Sequence, residues 1–338
     1  MKQLFFQLIE DAYKLDQSDD QWYTGLAERA TAVVPGQSGA IAYSFDASAP
    51  ETGVRIDAWG AASVSESFVE GTLDLNRTTT PEDAIRFYHH GVLCGTVSDV
   101  LEQGGQSLES NETYSRTILA RGLGDTFGLT ASSPSHRGLV INAPLSSPTT
   151  LNPRVKLAWR QAGVHLHAAL RLRESLRCPD VTPEAVVEPG RGVVHGEGKA
   201  KGAGARERLQ NAALAVDRAR SRTGPSDAAD ALELWNGLVH GRWTLIESFD
   251  SDDRRFFLAY PNETVLANPR SLTARERAVV GHVVQGDSNK WIAYQLGIRP
   301  STVARHLTSA LRKMGLGQRH ELIWLYHFLH RGDSSIES

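Results

Sequence analysis

Cysteine is the scarcest informative residue in this chain: two in 338, Cys94 and Cys178, far apart in sequence. A pair so placed excludes a disulfide framework and fits a reducing cytoplasm, which is the expected compartment. No run of about 18 apolar residues occurs, so no membrane-spanning helix is expected. The opening stretch MKQLFFQLIEDAYKLD has one early lysine, a short apolar run and then acids, with no small-residue cleavage site. It reads as an amphipathic helix rather than a signal peptide. Enzyme signatures are missing too. Gly122-Leu-Gly124 lacks the rest of a nucleotide-binding glycine fingerprint. His89, His90 and Cys94 have no fourth ligand at metal-binding spacing, and His165 and His167 sit two apart on a helix, facing different sides. Asp19-Asp20 lies between helices, not at the end of an apolar strand as a phosphoacceptor would. No metal, cofactor or catalytic residue is therefore expected.

What is present is ordinary globular composition, 41% hydrophobic and 22% charged, with length for two or three domains. The net charge of −3 hides an uneven distribution: −6 over residues 1–180, −2 over 181–269 and +7 over 270–331. Short helical domains can be basic by chance, but a basic segment on an acidic chain also suits a polyanion.

Hydrophobic periodicity predicts helices over 2–15 and 20–33, then strands 40–45 and 54–59 paired as a hairpin. A helix opens at Pro81 and runs to about 90, with another around 108–119. Strands follow at 126–131 and 138–143. Pro153 begins a long helix to about 177. Its apolar residues Val155, Trp159, Ala162, Leu166, Ala169 and Leu176 form a seam broken only by Arg173, suited to its own sheet or to a second copy. Residues 179–204, rich in Pro and Gly, read as a flexible linker. Residues 205–262 read as a small bracing module: helices 205–222 and 227–238, then a β-hairpin of 243–249 and 255–260.

The basic end breaks into four short helices. Thr273 and Glu276 form a capping box, and Gly286 ends the first helix. Ser288 caps the second, Asn289–Leu296, and Gly297 makes the tight turn. Pro300 starts the third, with Val303, Leu307, Ala310, Leu311 and Met314 inward. The fourth begins near Gln318. Arg305, Thr308 and Arg312 share the outward face of the third helix. Two short helices around a glycine turn, the second with basic outward residues, fit helix-turn-helix geometry.

In detail, Leu272-Thr273, Arg275-Glu276, Gly286, Ser288-Asn289-Lys290, Ile292-Ala293, Leu296, Ile298, Ser301-Thr302-Val303, His306, Leu311, Lys313, Gly315 and Arg319 resemble the LuxR-type helix-turn-helix family over 268–331. The resemblance implies a transcriptional regulator whose third helix enters the major groove of double-stranded DNA. It also implies a homodimer on DNA, often through the fourth helix, and RNA polymerase as a further partner. Ala304, Arg305 and Thr308 are the candidates for base edges, with Arg305 suited to guanine. Ser288, Lys290, Ser301 and Thr302 suit phosphate oxygens, and Arg312 and Lys313 extend the basic face. The family usually carries lysine where this chain has Ala304.

The expected fold class is α+β, with an all-α C-terminal domain. Residues 1–178 coarsely resemble a GAF/PAS-like sensor module with an antiparallel sheet. A small-molecule effector would meet Tyr43, Trp59, Phe87 and Phe127, though core packing is the stronger reading for each. Two modes of control remain open: a ligand-responsive regulator, and a constitutive or partner-controlled one whose first segment only dimerises. A sigma-like polymerase subunit is a third class, without a second promoter-melting region in support.

Overall fold

The computed structural model describes all residues except 90, 134–135, 178–180, 222–223, 236–237, 240–242, 250–253, 263–271, 315–318, 320–321 and 323–338. The chain opens with α1 (Lys2–Ala12) and α2 (Asp19–Thr31). Helix α2 starts where Ser18 and Gln21 form a reciprocal capping box, with Asp19 and Asp20 at the positive end of the helix dipole. Strands β1 (Ala40–Asp46) and β2 (Arg55–Ala62) then pair antiparallel, with Tyr43 opposite Trp59.

Helices α3 (Glu66–Thr78) and α4 (Pro81–Tyr88), strand β3 (Val92–Thr96), and helices α5 (Val97–Gln103) and α6 (Glu112–Thr117) follow. Strands β4 (Asp125–Ser132) and β5 (Arg137–Leu145) complete a five-stranded antiparallel sheet in the order β2-β1-β5-β4-β3. The period-2 alternation sorts its two faces. Ala40, Ala42, Cys94, Phe127, Leu129 and Ile141 join the core under α1, α2 and α7 (Pro153–Leu176). Ile41, Tyr43, Phe45 and Val140 join a second cluster with Phe68 of α3 and Ala84 and Tyr88 of α4.

Helix α7 begins at Asn152, which caps it, and Pro153, whose fixed φ suits the first turn. Its seam is filled from within the chain: Trp159 meets Phe5 edge-on at 5.1 Å and lies 5.1 Å from Phe127. The break in the seam is satisfied as well. Arg173 is buried, and its guanidinium donates to Leu15 O at 3.1 Å and Asp19 Oδ1 at 3.0 Å, stapling the α1–α2 loop.

The stretch 179–204, expected as a flexible linker, instead carries β6 (Ala185–Glu188) and β7 (Gly192–Gly196). The glycines that suggest a linker turn a hairpin here: Gly190 and Gly192 take φ of +88° and +90°, a region side chains avoid. Helices α8 (Ala203–Arg220) and α9 (Ala228–Leu234) follow, then β8 (Leu238–Val239), β9 (Trp243–Phe249) and β10 (Arg255–Pro261). The expected hairpin is thus part of a second five-stranded sheet, order β7-β6-β10-β9-β8. One apolar cluster runs from Phe5 through Trp159 to Trp235, Trp243 and Phe257, so the two sheets share a core along α7.

The closeness of α2 to β2 gives a stability test. A Cβ on Gly60 would stand 2.2 Å from Thr24 N, whereas one on Gly25, on the same helix, meets nothing within 4 Å. Gly60→Ala should therefore cost about 1–3 kcal/mol of overpacking. Gly25→Ala should be neutral or stabilising by up to about 1 kcal/mol. Thermal melts of both variants check this, and equal Tm values would contradict it.

Candidate nucleic-acid interface

The C-terminal domain is built from α10 (Ala274–Val284), α11 (Asn289–Leu296) and α12 (Pro300–Met314). Each start has a local cause. Thr273 accepts from Glu276 N at 3.2 Å while Glu276 accepts from Thr273 N at 2.7 Å. Ser288 accepts from Trp291 N at 3.2 Å. Gly297 closes α11 in the left-handed conformation, φ +60°, and so makes the tight turn into α12. Val279, Val283, Ile292, Val303, Leu307 and Leu311 form a separate small core.

Polar contacts fix the helices to one another. Glu276 also accepts from Ser309 Oγ at 2.6 Å, tying the start of α10 to α12. Asp287, in the α10–α11 turn, takes His282 Nδ1 at 3.1 Å and Gln295 Nε2 at 3.2 Å. Arg319 donates to Asn289 Oδ1 at 2.9 Å, joining the segment after α12 to the start of α11.

This frame turns one face of α12 outward. Ser301, Ala304, Arg305 and Thr308 are exposed, opposite the buried Val303, Leu307, Ala310 and Leu311. Thr302 is half-buried. Arg305 has no ion pair among the described residues, so its guanidinium is available to an incoming anion or base edge. His306, beside it, is pushed below the usual histidine range by burial, then by Arg305 and Arg275, so it remains neutral at neutral pH. The backbone of Arg312 and Lys313 continues α12, but their side chains lie outside the described part of the structure, as does most of the expected fourth helix. Ser288 and Lys290 are exposed at the start of α11, and Lys290 Nζ lies 3.4 Å from Glu233 Oε1 of α9.

The four aromatics expected at an effector pocket do not converge. Tyr43 lies under α3 and α4, Phe127 is on the opposite face of the sheet against Trp159, and Trp59 is exposed on edge strand β2. Phe87, half-buried, packs with Tyr114 at 5.2 Å. The pleat separates Phe127 from Tyr43, and edge position exposes Trp59, as spacing along the sequence could not show. Among the described residues no group of three His, Cys, Asp or Glu is arranged to hold a metal. His89 stacks on His136 at 3.5 Å, Cys94 is buried, and His90 lies outside the described residues. No helix among the described residues is long and apolar enough to cross a membrane.

Sequence reasoning missed one feature of this domain. Trp291 and Tyr294, three residues apart on α11, face away from the small C-terminal core and onto α7 and α9. Trp291 is buried, with the Arg160 guanidinium 4.5 Å above its ring. Tyr294 Oη donates to Leu232 O at 3.0 Å and lies 3.3 Å from His165 Nε2. Two aromatics on the polar side of a short helix were the available signal.

A compact helix-turn-helix with an exposed, cationic third helix defines the class of protein module. Residues 270–326 match the family described as bacterial regulatory proteins, luxR family, and the C-terminal domain belongs to it. It is similar to the monoamine regulon transcriptional regulator of Klebsiella aerogenes, 49% identical over 55 residues, 16% of this chain and 24% of that protein. It is also similar to the HTH-type transcriptional regulator MalT of Vibrio campbellii, 32% identical over 75 residues, 22% of this chain and 8% of that protein. The chain thus spans a quarter or less of the length of these relatives.

The contact with α7 has a pH signature. Tyr294 gives its one proton to Leu232 O, so His165 Nε2 carries the imidazole proton, and Nδ1 has no partner. Burial pushes His165 down to about 4 from 6.5. The unfolded chain binds the extra proton first. This histidine's favourable balance is therefore complete above 6.5 and is lost as pH falls towards about 4. His165→Gln should flatten the fall in Tm between about pH 7 and about pH 5. Parallel falls in variant and wild type would contradict this.

Proposed function

We propose that the chain is a cytoplasmic, sequence-specific DNA-binding regulator of transcription, acting on DNA as a homodimer. The observation that carries the reading is α12: its exposed face bears Ser301, Ala304, Arg305 and Thr308, on a domain of the luxR family. In a helix-turn-helix the second helix of the pair lies in the major groove, and the first crosses the phosphate backbone. Arg305 suits bidentate pairing with a guanine, and Ala304 suits contact with a thymine methyl. Ser301 and Thr302 at the helix start, and Ser288 and Lys290 on α11, take phosphates. The basic charge of this segment raises affinity for any duplex, and the α12 side chains supply the discrimination.

The first segment supports control by a small neutral effector. On the sheet face under α3 and α4, Tyr43 Oη accepts from Asn142 Nδ2 at 3.2 Å and Asn76 Nδ2 at 3.4 Å, and lies 3.3 Å from Tyr88 Oη. Asn142 sits on a strand paired on both sides, yet it is only half-buried. Opposite it, a Cβ on Gly128 would meet nothing but Asn142 Oδ1, at 3.3 Å. Asn142 is thus an uncharged hydrogen-bonding group that a neutral effector would meet. The alternative, a constitutive or partner-controlled regulator whose first segment only dimerises, draws no support from α7, whose seam packs against α1 and the sheet of its own chain.

Two experiments test these readings. Selection of a preferred site from random duplexes comes first. On that site Arg305→Ala should lose about 1–3 kcal/mol and relax the preference at one base pair. Unchanged affinity and preference would show that Arg305 reads no base. For the effector, a thermal-shift screen of neutral metabolites should give a saturable rise in Tm that Asn142→Ala removes. A hit whose shift survives Asn142→Ala, or no hit, would remove the effector claim.

A further inference from the structure

Helix α7 carries a cation that meets no countercharge among the described residues. Arg173 meets Asp19 at 3.0 Å. Arg171, two residues earlier and so on a different side of the helix, has no ion pair among the described residues. Its guanidinium makes one hydrogen bond there, from Nη2 to Asn262 Oδ1 at 2.8 Å. That acceptor is shared, because Thr244 Oγ1 donates to it at 2.7 Å from a fully buried position. Arg171 is itself half-buried, and burial holds it below the usual arginine range. A cation taken out of water is costly unless an anion answers it.

Two further groups feel this charge. Tyr13 closes α1, which packs on α7, and its hydroxyl is buried with no hydrogen-bond partner. Burial raises that hydroxyl above the usual tyrosine range, and Arg171 opposes the rise. His167 lies one turn before Arg171, on the same face of α7. Burial first, then Arg171 and His282, push it down to about 3 from 6.5. It is therefore neutral at neutral pH and keeps one N–H to donate.

We propose that Arg171, Tyr13 and His167 form a binding site for a small monocarboxylate where α1, α7 and the end of β10 meet. The donors fit that class. The guanidinium keeps N–H groups free after its bond to Asn262, and a planar carboxylate takes two parallel bonds from such a fork. Tyr13 adds a hydroxyl donor, and His167 adds a ring N–H. One cation beside a neutral imidazole answers one negative charge, so a monoanion is compensated and a dianion such as phosphate is not. Arg171 and His167 are only half-buried, which gives the ligand a way in. The site is separate from Asn142, which bonds Tyr43 on the face of the first sheet under α3 and α4, and from the exposed face of α12. It depends neither on the neutral effector nor on DNA.

Thermal melts of the full chain in acetate, lactate and benzoate, each against sodium chloride at equal ionic strength, test the site. At least one carboxylate should raise Tm saturably, and its primary amide should not. Tyr13→Phe removes only the hydroxyl and should raise the half-saturating concentration about tenfold, as loss of a hydrogen bond to a charged group does. Arg171→Gln removes the charge, can keep a bond to Asn262, and should abolish the shift. Should Arg171→Gln fail to fold, Tyr13→Phe carries the test alone. Asn142→Ala and Arg305→Ala should leave the shift unchanged, which separates this site from the effector cluster and from the α12 face. No saturable shift with any of the three carboxylates, a shift that survives Tyr13→Phe and Arg171→Gln undiminished, or one that Arg305→Ala removes, overturns the site. A larger shift with inorganic phosphate than with the carboxylates overturns the assignment to a monocarboxylate.

Discussion

Burial of helix α7 on almost every side is the constraint on which the structure depends. A helix surrounded by protein must satisfy every polar group it carries or hold it neutral. Trp159, Ala162, Leu166 and Ala169 fill one side with the first sheet and α1, and Ala168 and Leu172 are buried as well. The polar residues are then used as fasteners. Arg173 binds the α1–α2 loop, Arg171 donates to Asn262 Oδ1 at 2.8 Å beyond the second sheet, and Arg160 and His165 reach α11. One helix therefore touches each of the three parts of the chain. A change in how either sheet packs on α7 acts on the same rigid body that holds the C-terminal domain.

Ion pairs add little to this frame where they are exposed, as at Arg154 and Asp230, but they matter where they join elements. Arg220 lies 3.2 Å from Glu10 of α1 and 2.6 Å from Glu247 of β9, and its guanidinium stands 4.8 Å from the ring centroid of Trp235. Arg255 pairs with Glu247 and with Asp217 of α8. These half-buried networks bind the second sheet to α1 and α8. The C-terminal domain has its own core and its own cap bonds. Among the described residues of that domain, only the α11 aromatics enter the common core.

Local signals were the legible ones. Thr273 with Glu276, Ser288, Gly297 and Pro300 define α10, α11 and α12 at the residue, because caps and glycine turns act within a few positions of the chain. The hairpin strands around 40–62 and 125–145 were legible for the same reason. Helix α3 was not, since Gly71 interrupts it and its partner surface lies elsewhere. Strand β3 is five residues long and includes a glycine. The β6–β7 hairpin was hidden because Pro and Gly serve both linkers and tight turns, and only pairing with β10 decides between them. The candidate pocket failed on long-range geometry: which face of a strand is inward, and which strand is an edge, depends on register that no local pattern records.

The central claim is that the exposed face of α12 engages DNA. Hydroxyl-radical footprinting of the full chain, with and without its selected duplex, reads that face through side-chain oxidation. The account predicts slower oxidation at Arg305 and His306 when DNA is present. Unaltered rates at Arg305 and His306 would contradict it.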